Sequence, residues 1–140
     1  MNTKPRRVIL VLIATLAAYV GLWAAAFPRS FYDSFPGAGL TWISTDGPFN
    51  EHLIRDVGAL YLGFAAASIA AAVSHAAAAG RVVGVGWTLF CAIHLAYHLV
   101  HLDGSLLDRI GNVVGLGASL ALGILLLPTK RATITTEVAR

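Results

Sequence analysis

The chain has 140 residues, of which 57% are hydrophobic and only 12% are charged, and its mean hydropathy is +0.74. Soluble domains carry about 25% charged residues, so this composition excludes an ordinary soluble domain and indicates one membrane domain over residues 1–140. The single cysteine, Cys91, excludes an internal disulfide. The net charge of +3 is explained by where the charges fall, and it gives no reason to expect nucleic acid as a partner.

Four apolar segments follow one another along the chain. The first, residues 8–27, carries no charge and matches the ~20 apolar residues that cross a bilayer. It is also longer than the apolar part of a signal peptide. Three more segments lie at residues 57–79, 82–102 and 110–127. We therefore predict an all-α, polytopic membrane protein, folded as an up-down bundle of four transmembrane helices.

The charged residues divide between the two ends of these predicted helices. The basic end carries Lys4, Arg6, Arg7, Arg81, Lys130, Arg131 and Arg140. The acidic end carries Asp33, Asp46, Glu51, Asp56, Asp103 and Asp108. Cytoplasmic loops are enriched in lysine and arginine. We therefore expect both termini in the cytoplasm and the protein in a bacterial inner or plasma membrane.

The segment 28–50 should lie on the outer side, between the first two helices. Its aromatic residues suit a belt at the level of the lipid headgroups, with part of the segment flat on the membrane: Phe31, Tyr32, Phe35 and Trp42. Asp46, followed by Gly47 and Pro48, is typical of a helix N-cap with proline in the first turn. The second helix would then begin near residue 47.

Three histidines stand out on the third predicted helix. Residues spaced alternately by three and four share one helix face, and here that face consists of Gly80, Gly84, Trp87, Cys91, His94, His98 and His101. Because polar groups avoid hydrocarbon, this face should look into the bundle. At 1.5 Å per residue, His101 lies at the outer interface and His94 about 10 Å deeper.

The other helices carry comparable stripes. On the fourth helix the stripe is Asp108, Asn112, Gly115 and Ser119, with Gly111 beside it. The second helix opens with Glu51, His52, Arg55 and Asp56 and continues as a seam of small residues, Ala59, Gly63, Ala66 and Ala70, which suits close helix approach. Tyr19 shares a face of the first helix with Thr15 and Trp23. These stripes predict a polar centre at the outer end of the bundle.

Several functions are compatible with such a centre. One is a structural network, with pairs Glu51–Arg55 and His52–Asp56 at i,i+4 and with Arg55 and Asp56 reaching His98, His101 or Asp108. Another is a metal or redox site for Fe, Cu or Zn, since imidazole and carboxylate donors suit these ions. Its candidate ligands are His94, His98, His101, His52 and Glu51.

Three alternatives for the centre have less support in the sequence: a specific metal site, haem b and a proton path. The chain lacks the HExxH and paired ExxH patterns that make a metal assignment specific. Haem b needs axial ligands from two helices at one depth, which leaves only His52 paired with His98 or His101. A proton path would need an acidic residue in the middle of the bundle, and the sequence has none there.

Glycine spacing bears on assembly. Gly80 with Gly84, and Gly111 with Gly115, are GxxxG matches, which serve packing within a bundle or between chains. The leading hypothesis is a small, non-catalytic membrane protein, an accessory subunit of a membrane complex. Its partners would be the lipid bilayer and either another membrane protein or a second copy. No catalytic residue is assigned, and enzymatic activity stays open.

One segment carries a resemblance to a known family. "NEHLIRDVGALYLGFAAA", residues 50–67, resembles the second helix of small four-helix membrane proteins of the DoxX-like kind, which are mostly uncharacterised bacterial proteins. The resemblance implies a four-helix fold over residues 5–128 and a structural role for Arg55, Asp56 and Gly58. The histidine face is not part of that pattern, and the resemblance implies no activity.

Overall fold

A computed structural model describes residues 2–128. Its elements, in chain order, are α1 (Lys4–Ala26), α2 (Pro28–Ser34), β1 (Pro36–Gly37), β2 (Leu40–Thr41), α3 (Glu51–Val73), α4 (Ala77–Val100) and α5 (Leu106–Leu125). The two short strands form an antiparallel hairpin. The helices α1, α3, α4 and α5 are each long and apolar enough to cross a membrane, which confirms the predicted number of long helices. Lys130, Arg131 and Arg140 lie outside the described residues.

The start of α3 differs from the prediction. The N-cap is Asn50, whose side chain accepts a hydrogen bond from the Leu53 backbone N–H at 3.1 Å. Asp46 instead belongs to a turn in which its own N–H donates to the Ile43 carbonyl at 3.1 Å. The Asp46 assignment was therefore wrong: an N-cap side chain must reach the free N–H groups of the first turn, and Asn50 is the residue next to them.

The connection between α3 and α4 also lies earlier than predicted. The helical structure is interrupted at residues 74–76, where the Ser74 hydroxyl accepts a hydrogen bond from the Ala76 N–H at 3.1 Å. Gly80 and Arg81 are consequently inside α4 rather than in a loop. Because the neighbouring alanines favour helix, the glycine does not end it.

The first tight helix pair is α1 with α3. A Cβ added at Gly58 would meet the Ala25 backbone nitrogen at 2.5 Å, and one added at Gly21 would meet the Leu62 nitrogen at 2.9 Å. The predicted seam faces elsewhere: Gly63 is exposed, and an added Cβ there meets no described atom within 4 Å. Gly63 therefore plays no part in packing within the described chain, and Gly58 is the residue that permits close approach.

The second tight pair is α4 with α5. A Cβ added at Gly84 would meet the Leu126 Cβ at 2.7 Å and the Gly123 carbonyl at 3.2 Å. The Trp87 indole N–H donates to the Ser119 carbonyl at 3.0 Å and ties the middle of both helices together. Gly80 instead faces α1, where its added Cβ would lie 3.3 Å from Leu10.

At one end of the bundle, side chains near the N-terminus bind the ends of α3 and α5. The Asn2 side chain donates to the Ala71 carbonyl at 2.8 Å, and Arg6 donates to the Leu126 carbonyl at 2.5 Å. A guanidinium nitrogen of Arg7 lies 3.4 Å from Nδ1 of His75. The start of α1, the end of α3 and the end of α5 therefore meet here, at the basic end of the described chain.

We expect Gly58→Ala to lower the free energy of unfolding by about 1–3 kcal/mol, because its methyl group would overpack the contact with Ala25. The matched change Gly63→Ala adds the same group at an open position and should be neutral or stabilise by up to ~1 kcal/mol through helix propensity. Equilibrium unfolding of the purified protein in mixed micelles, followed by circular dichroism, measures both. Equal losses of stability in the two variants would contradict the contact.

Candidate functional site

An apolar cavity of about 350 Å³ lies at the end of the bundle opposite the basic end. Its walls come from α1, α3, α4 and α5, and α2 and the hairpin region add to them. Aromatic rings dominate the lining: Phe31, Phe35, Trp42, Tyr61, Trp87 and Phe90. The two tight helix pairs meet each other less closely than the helices within each pair, and the cavity occupies the space between them.

The deep wall is an aromatic cluster. The Tyr61 ring from α3 meets the Phe90 ring from α4 edge-on at 5.4 Å between centroids, and Trp87 at 6.2 Å. Such edge-to-face pairs hold rings in fixed orientations. Trp87 is 1% exposed and Cys91, one turn further on, is 2% exposed. The inward face of α4 predicted from the spacing is therefore confirmed for Trp87 and Cys91.

His94 and His98 continue this face of α4 and line the cavity. Their rings lie 4.9 Å apart between centroids, and both side chains are half-buried. The Asn112 amide nitrogen on α5 lies 3.4 Å from Nδ1 of His98. Nδ1 of His94 is buried and has no hydrogen-bond partner among residues 2–128. These three polar residues form the polar end of an otherwise apolar cavity.

His101 does not belong to the cavity. The helix α4 ends at Val100, and His101 is exposed, with its ring stacked at 4.2 Å on that of Tyr97. Its Nδ1 lies 2.9 Å from the Tyr97 carbonyl oxygen, a contact that binds it to the last turn of its own helix. The predicted face of three histidines is therefore only partly formed. His94 and His98 lie on α4, whereas His101 follows the last residue of that helix.

The outer face of the cavity is covered by the segment between α1 and α3. Trp42 packs on α5, where an added Cβ at Gly111 would lie 3.0 Å from its ring and one at Gly115 3.4 Å. Phe35 contacts the Trp42 ring edge-on at 5.8 Å, and Phe31 is 3% exposed. The rings of Phe31, Phe35 and Trp42 therefore pack on the bundle, and their expected place at the level of the lipid headgroups stays a prediction.

Asp108 fastens this cover to α5. It is the N3 residue of a capping box, in which the Ser105 side chain accepts from the Asp108 N–H and the Asp108 carboxylate accepts from the Ser105 N–H at 3.1 Å. Its other oxygen accepts from the Thr41 N–H in the hairpin at 3.3 Å. One carboxylate thus joins the start of α5 to the cover.

Tyr19 makes a second attachment of the same kind. It lines the cavity from α1, and its hydroxyl donates to the Pro36 carbonyl at 3.1 Å. The predicted polar residues Tyr19 and Asp108 therefore hold the cover, each through one backbone group of the hairpin region.

The opening of α3 makes its own contacts. Arg55 pairs with Glu51 at 2.9 Å and also donates to the Ala25 carbonyl at the end of α1. His52 lies 3.3 Å from Asp56, and both are exposed. The i,i+4 pairs are confirmed, and exposed pairs of this kind add about 0–1 kcal/mol. The expected links from Arg55 and Asp56 to His98, His101 or Asp108 are not formed, so no single polar centre joins these residues.

The predicted metal ligands are distributed over these separate places. Among residues 2–128, no group of three or more histidine, cysteine, aspartate or glutamate side chains is arranged to hold a metal ion. His94 and His98 are neighbours at the cavity, whereas Glu51 and His52 are engaged on the exposed start of α3 and His101 lies on Tyr97. His52 does not line the cavity, so a haem between it and His98 has no support from this arrangement.

Two contributions to the site escaped the sequence analysis. Ser105 and Asp108 carry the spacing of a capping box before an apolar run, so the start of α5 could have been found. The contact of Trp42 with Gly111 and Gly115 joins residues some 70 positions apart, and nothing in the local pattern indicates it. The two glycines were expected to serve helix packing, and here they accommodate an indole ring from the cover.

Comparison with protein-family models, curated proteins and solved structures finds no match for this chain. The resemblance of residues 50–67 to DoxX-like proteins therefore stays a prediction.

We expect Asp108→Ala to loosen the cover, since it removes the acceptor for Thr41 and half of the capping box, a loss of about 1 kcal/mol or more. Amide hydrogen exchange over residues 36–46 should accelerate by about tenfold, which corresponds to 1.4 kcal/mol. Asp103→Ala removes a nearby exposed carboxylate and should leave exchange in this segment unchanged. The same acceleration in both variants would contradict the attachment.

Proposed function

We propose that the chain is an integral protein of a bacterial inner or plasma membrane, crossing it four times in up-down order, and that its outer cavity binds a small membrane-soluble ligand. The four helices long and apolar enough to span a membrane support the first part. The cavity between the two helix pairs supports the second.

The distribution of charge supports cytoplasmic termini. Lys4, Arg6, Arg7 and Arg81 lie at the end where α1 begins and α3 ends. The opposite end carries the acidic residues of the cover and of the starts of α3 and α5. Because a positive excess favours the cytoplasmic side, the cavity would face the outer leaflet.

The observation that carries the proposal is a partly open cavity with a mostly apolar lining. A cavity of about 350 Å³ falls within the range of ~300–1,000 Å³ typical of small-molecule sites. A mostly apolar lining favours apolar ligands. Binding is therefore the activity that this geometry favours, and no reaction is assigned to it.

Three hypotheses from the sequence keep a narrower basis. A structural role for the polar residues is supported by the attachments of Asp108 and Tyr19 to the cover. An accessory role beside another membrane protein or a second copy stays a prediction. The metal hypothesis has only the His94 and His98 pair in its favour, and the described residues bring no third ligand to that pair.

Photolabelling of the protein in lipid nanodiscs tests the proposed binding. We expect the small apolar reagent 3-trifluoromethyl-3-phenyldiazirine to label cavity residues such as Val57 and Cys91 saturably on illumination. Labelling of lipid-facing residues such as Val82 should rise linearly with reagent concentration. Peptide mass spectrometry separates the two classes, and linear labelling at every position would refute the cavity as a binding site.

We also expect Val20→Phe to reduce the saturable labelling by about fivefold or more, because a larger ring would fill the cavity. Val20 is 6% exposed and lines the cavity, whereas Val11 on the same helix is 54% exposed. The matched variant Val11→Phe should label as the parent does. A thermal melt of both variants shows whether the fold is kept, and full labelling in a folded Val20→Phe would contradict the site.

A further inference from the structure

We propose that two copies of this chain associate side by side in the membrane through the far face of α3, around a two-fold axis along the membrane normal. The proposal rests on the proposed membrane insertion, goes beyond it, and does not depend on the cavity. It is supported by a helix face that the described chain leaves uncovered, by the small side chains of that face, and by a polar pair on it that is complementary to itself.

The far face of α3 is the side of this helix that points away from the bundle. The buried residues of α3 include a set that shares one side: Ile54, Gly58, Tyr61, Ala65 and Ser68. Successive residues are turned by about 100°, and the positions opposite that side define the far face: His52, Asp56, Ala59, Gly63, Ala66 and Ala70. All of these are exposed, and a Cβ added at Gly63 would meet no atom of residues 2–128 within 4 Å. No other element of the described chain therefore covers this face.

Small side chains distinguish this face from the exposed faces of the other long helices. Large apolar residues are exposed on those helices, for example Val8 and Leu12 on α1, Val82 and Leu89 on α4, and Ile110 and Val114 on α5. On the far face of α3, alanine and glycine occupy the membrane-depth positions, and the large exposed residues Leu60 and Ile69 stand on either side of it. Small residues are enriched where two membrane helices approach closely. The far face therefore has the composition of a helix contact.

Most of the other glycines expected to serve association are occupied within the chain. Gly84 lies against Leu126, and Gly111 lies against the ring of Trp42. Gly117 on α5 is open like Gly63, but Val114 and Leu120 lie one turn away on either side. Large residues at that spacing hold a neighbouring helix away, whereas Gly63 has alanines at the corresponding positions. Gly63 is therefore the open glycine that a second helix can approach.

His52 and Asp56 give the far face a donor and an acceptor at its outer end. Their side chains lie 3.3 Å apart and are 88% and 61% exposed. A two-fold axis brings the same surface of both copies together, and a side chain of one helix then packs among residues about one turn apart on the other. His52 of each copy would thus lie near Asp56 of the other copy. This complementarity of the face to itself favours a second copy over an unrelated partner.

Single-molecule photobleaching in liposomes measures the association. The full chain carries one fluorophore at its C-terminus and is reconstituted over a range of lipid-to-protein ratios. We expect two-step bleaching that gives way to one-step bleaching as the lipid is increased, from which the dissociation constant follows as a mole fraction. One-step bleaching at every ratio would overturn the proposal and assign the face to lipid or to another membrane protein.

Two leucine variants locate the contact. Gly63→Leu should raise the dissociation constant by about tenfold or more, because the new side chain would hold the two backbones apart. Gly117→Leu fills an open position on α5 and should stay within about twofold of the parent. Leucine favours helix over glycine, so both variants should keep the fold, which circular dichroism checks. Equal dissociation constants for the two variants would contradict the contact.

A charge exchange tests the polar pair. His52→Asp leaves only carboxylates where the copies meet and should raise the dissociation constant by about threefold or more. Adding Asp56→His restores one donor and one acceptor with their positions exchanged, and most of the affinity should return. A double variant as weak as His52→Asp alone would show that this pair does not face the second copy, and the self-complementary arrangement would be wrong.

Flotation of the same liposomes separates this inference from the proposed function. Protein that does not float with the lipid would refute membrane insertion and, with it, the dimer. Protein that floats but bleaches in one step at every ratio would refute the dimer alone. Saturable diazirine labelling of the cavity residues Val57 and Cys91 is expected in Gly63→Leu as in the parent, since neither residue lies on the far face of α3.

Discussion

The close approach of α1 to α3 at Gly58 sets the arrangement of the rest of the molecule. With no side chain at Gly58 or Gly21, the two backbones come together, and α4 and α5 do the same where Gly84 meets Gly123 and Leu126. Between the pairs, contact passes through bulky rings, chiefly those of Tyr61, Trp87 and Phe90. The cavity lies beside these rings.

The cover depends on a few polar attachments to otherwise apolar helices. Asp108 combines a local task, the capping box with Ser105, with a long-range one, the hydrogen bond from Thr41. Tyr19 adds the second attachment at Pro36. These hydrogen bonds are few, and the indole of Trp42 also packs on Gly111 and Gly115. Packing therefore contributes to holding the cover together with the hydrogen bonds.

The polar residues of the acidic end divide into groups with different roles. The start of α3 forms exposed ion pairs that contribute little to stability, and Arg55 additionally bonds the end of α1. His101 stays with Tyr97. From the faces predicted on α4 and α5, the residues that line the cavity are Trp87, Cys91, His94, His98, Asn112, Gly115 and Ser119. Residues at the same depth in the bundle therefore do not all form one site. Whether a side chain lines the cavity also depends on which face of its helix it occupies.

Local patterns were enough to predict the four long helices, the inward face of Trp87 and Cys91, and the ion pairs of α3, because hydrophobic runs and i,i+4 spacing depend only on neighbours in the chain. They were not enough to choose Gly58 over Gly63 as the contact. That choice depends on which face of α3 meets Ala25, a matter of packing between helices. The cavity and the seat of Trp42 likewise exist only in the assembled fold, since their walls come from residues far apart in the sequence.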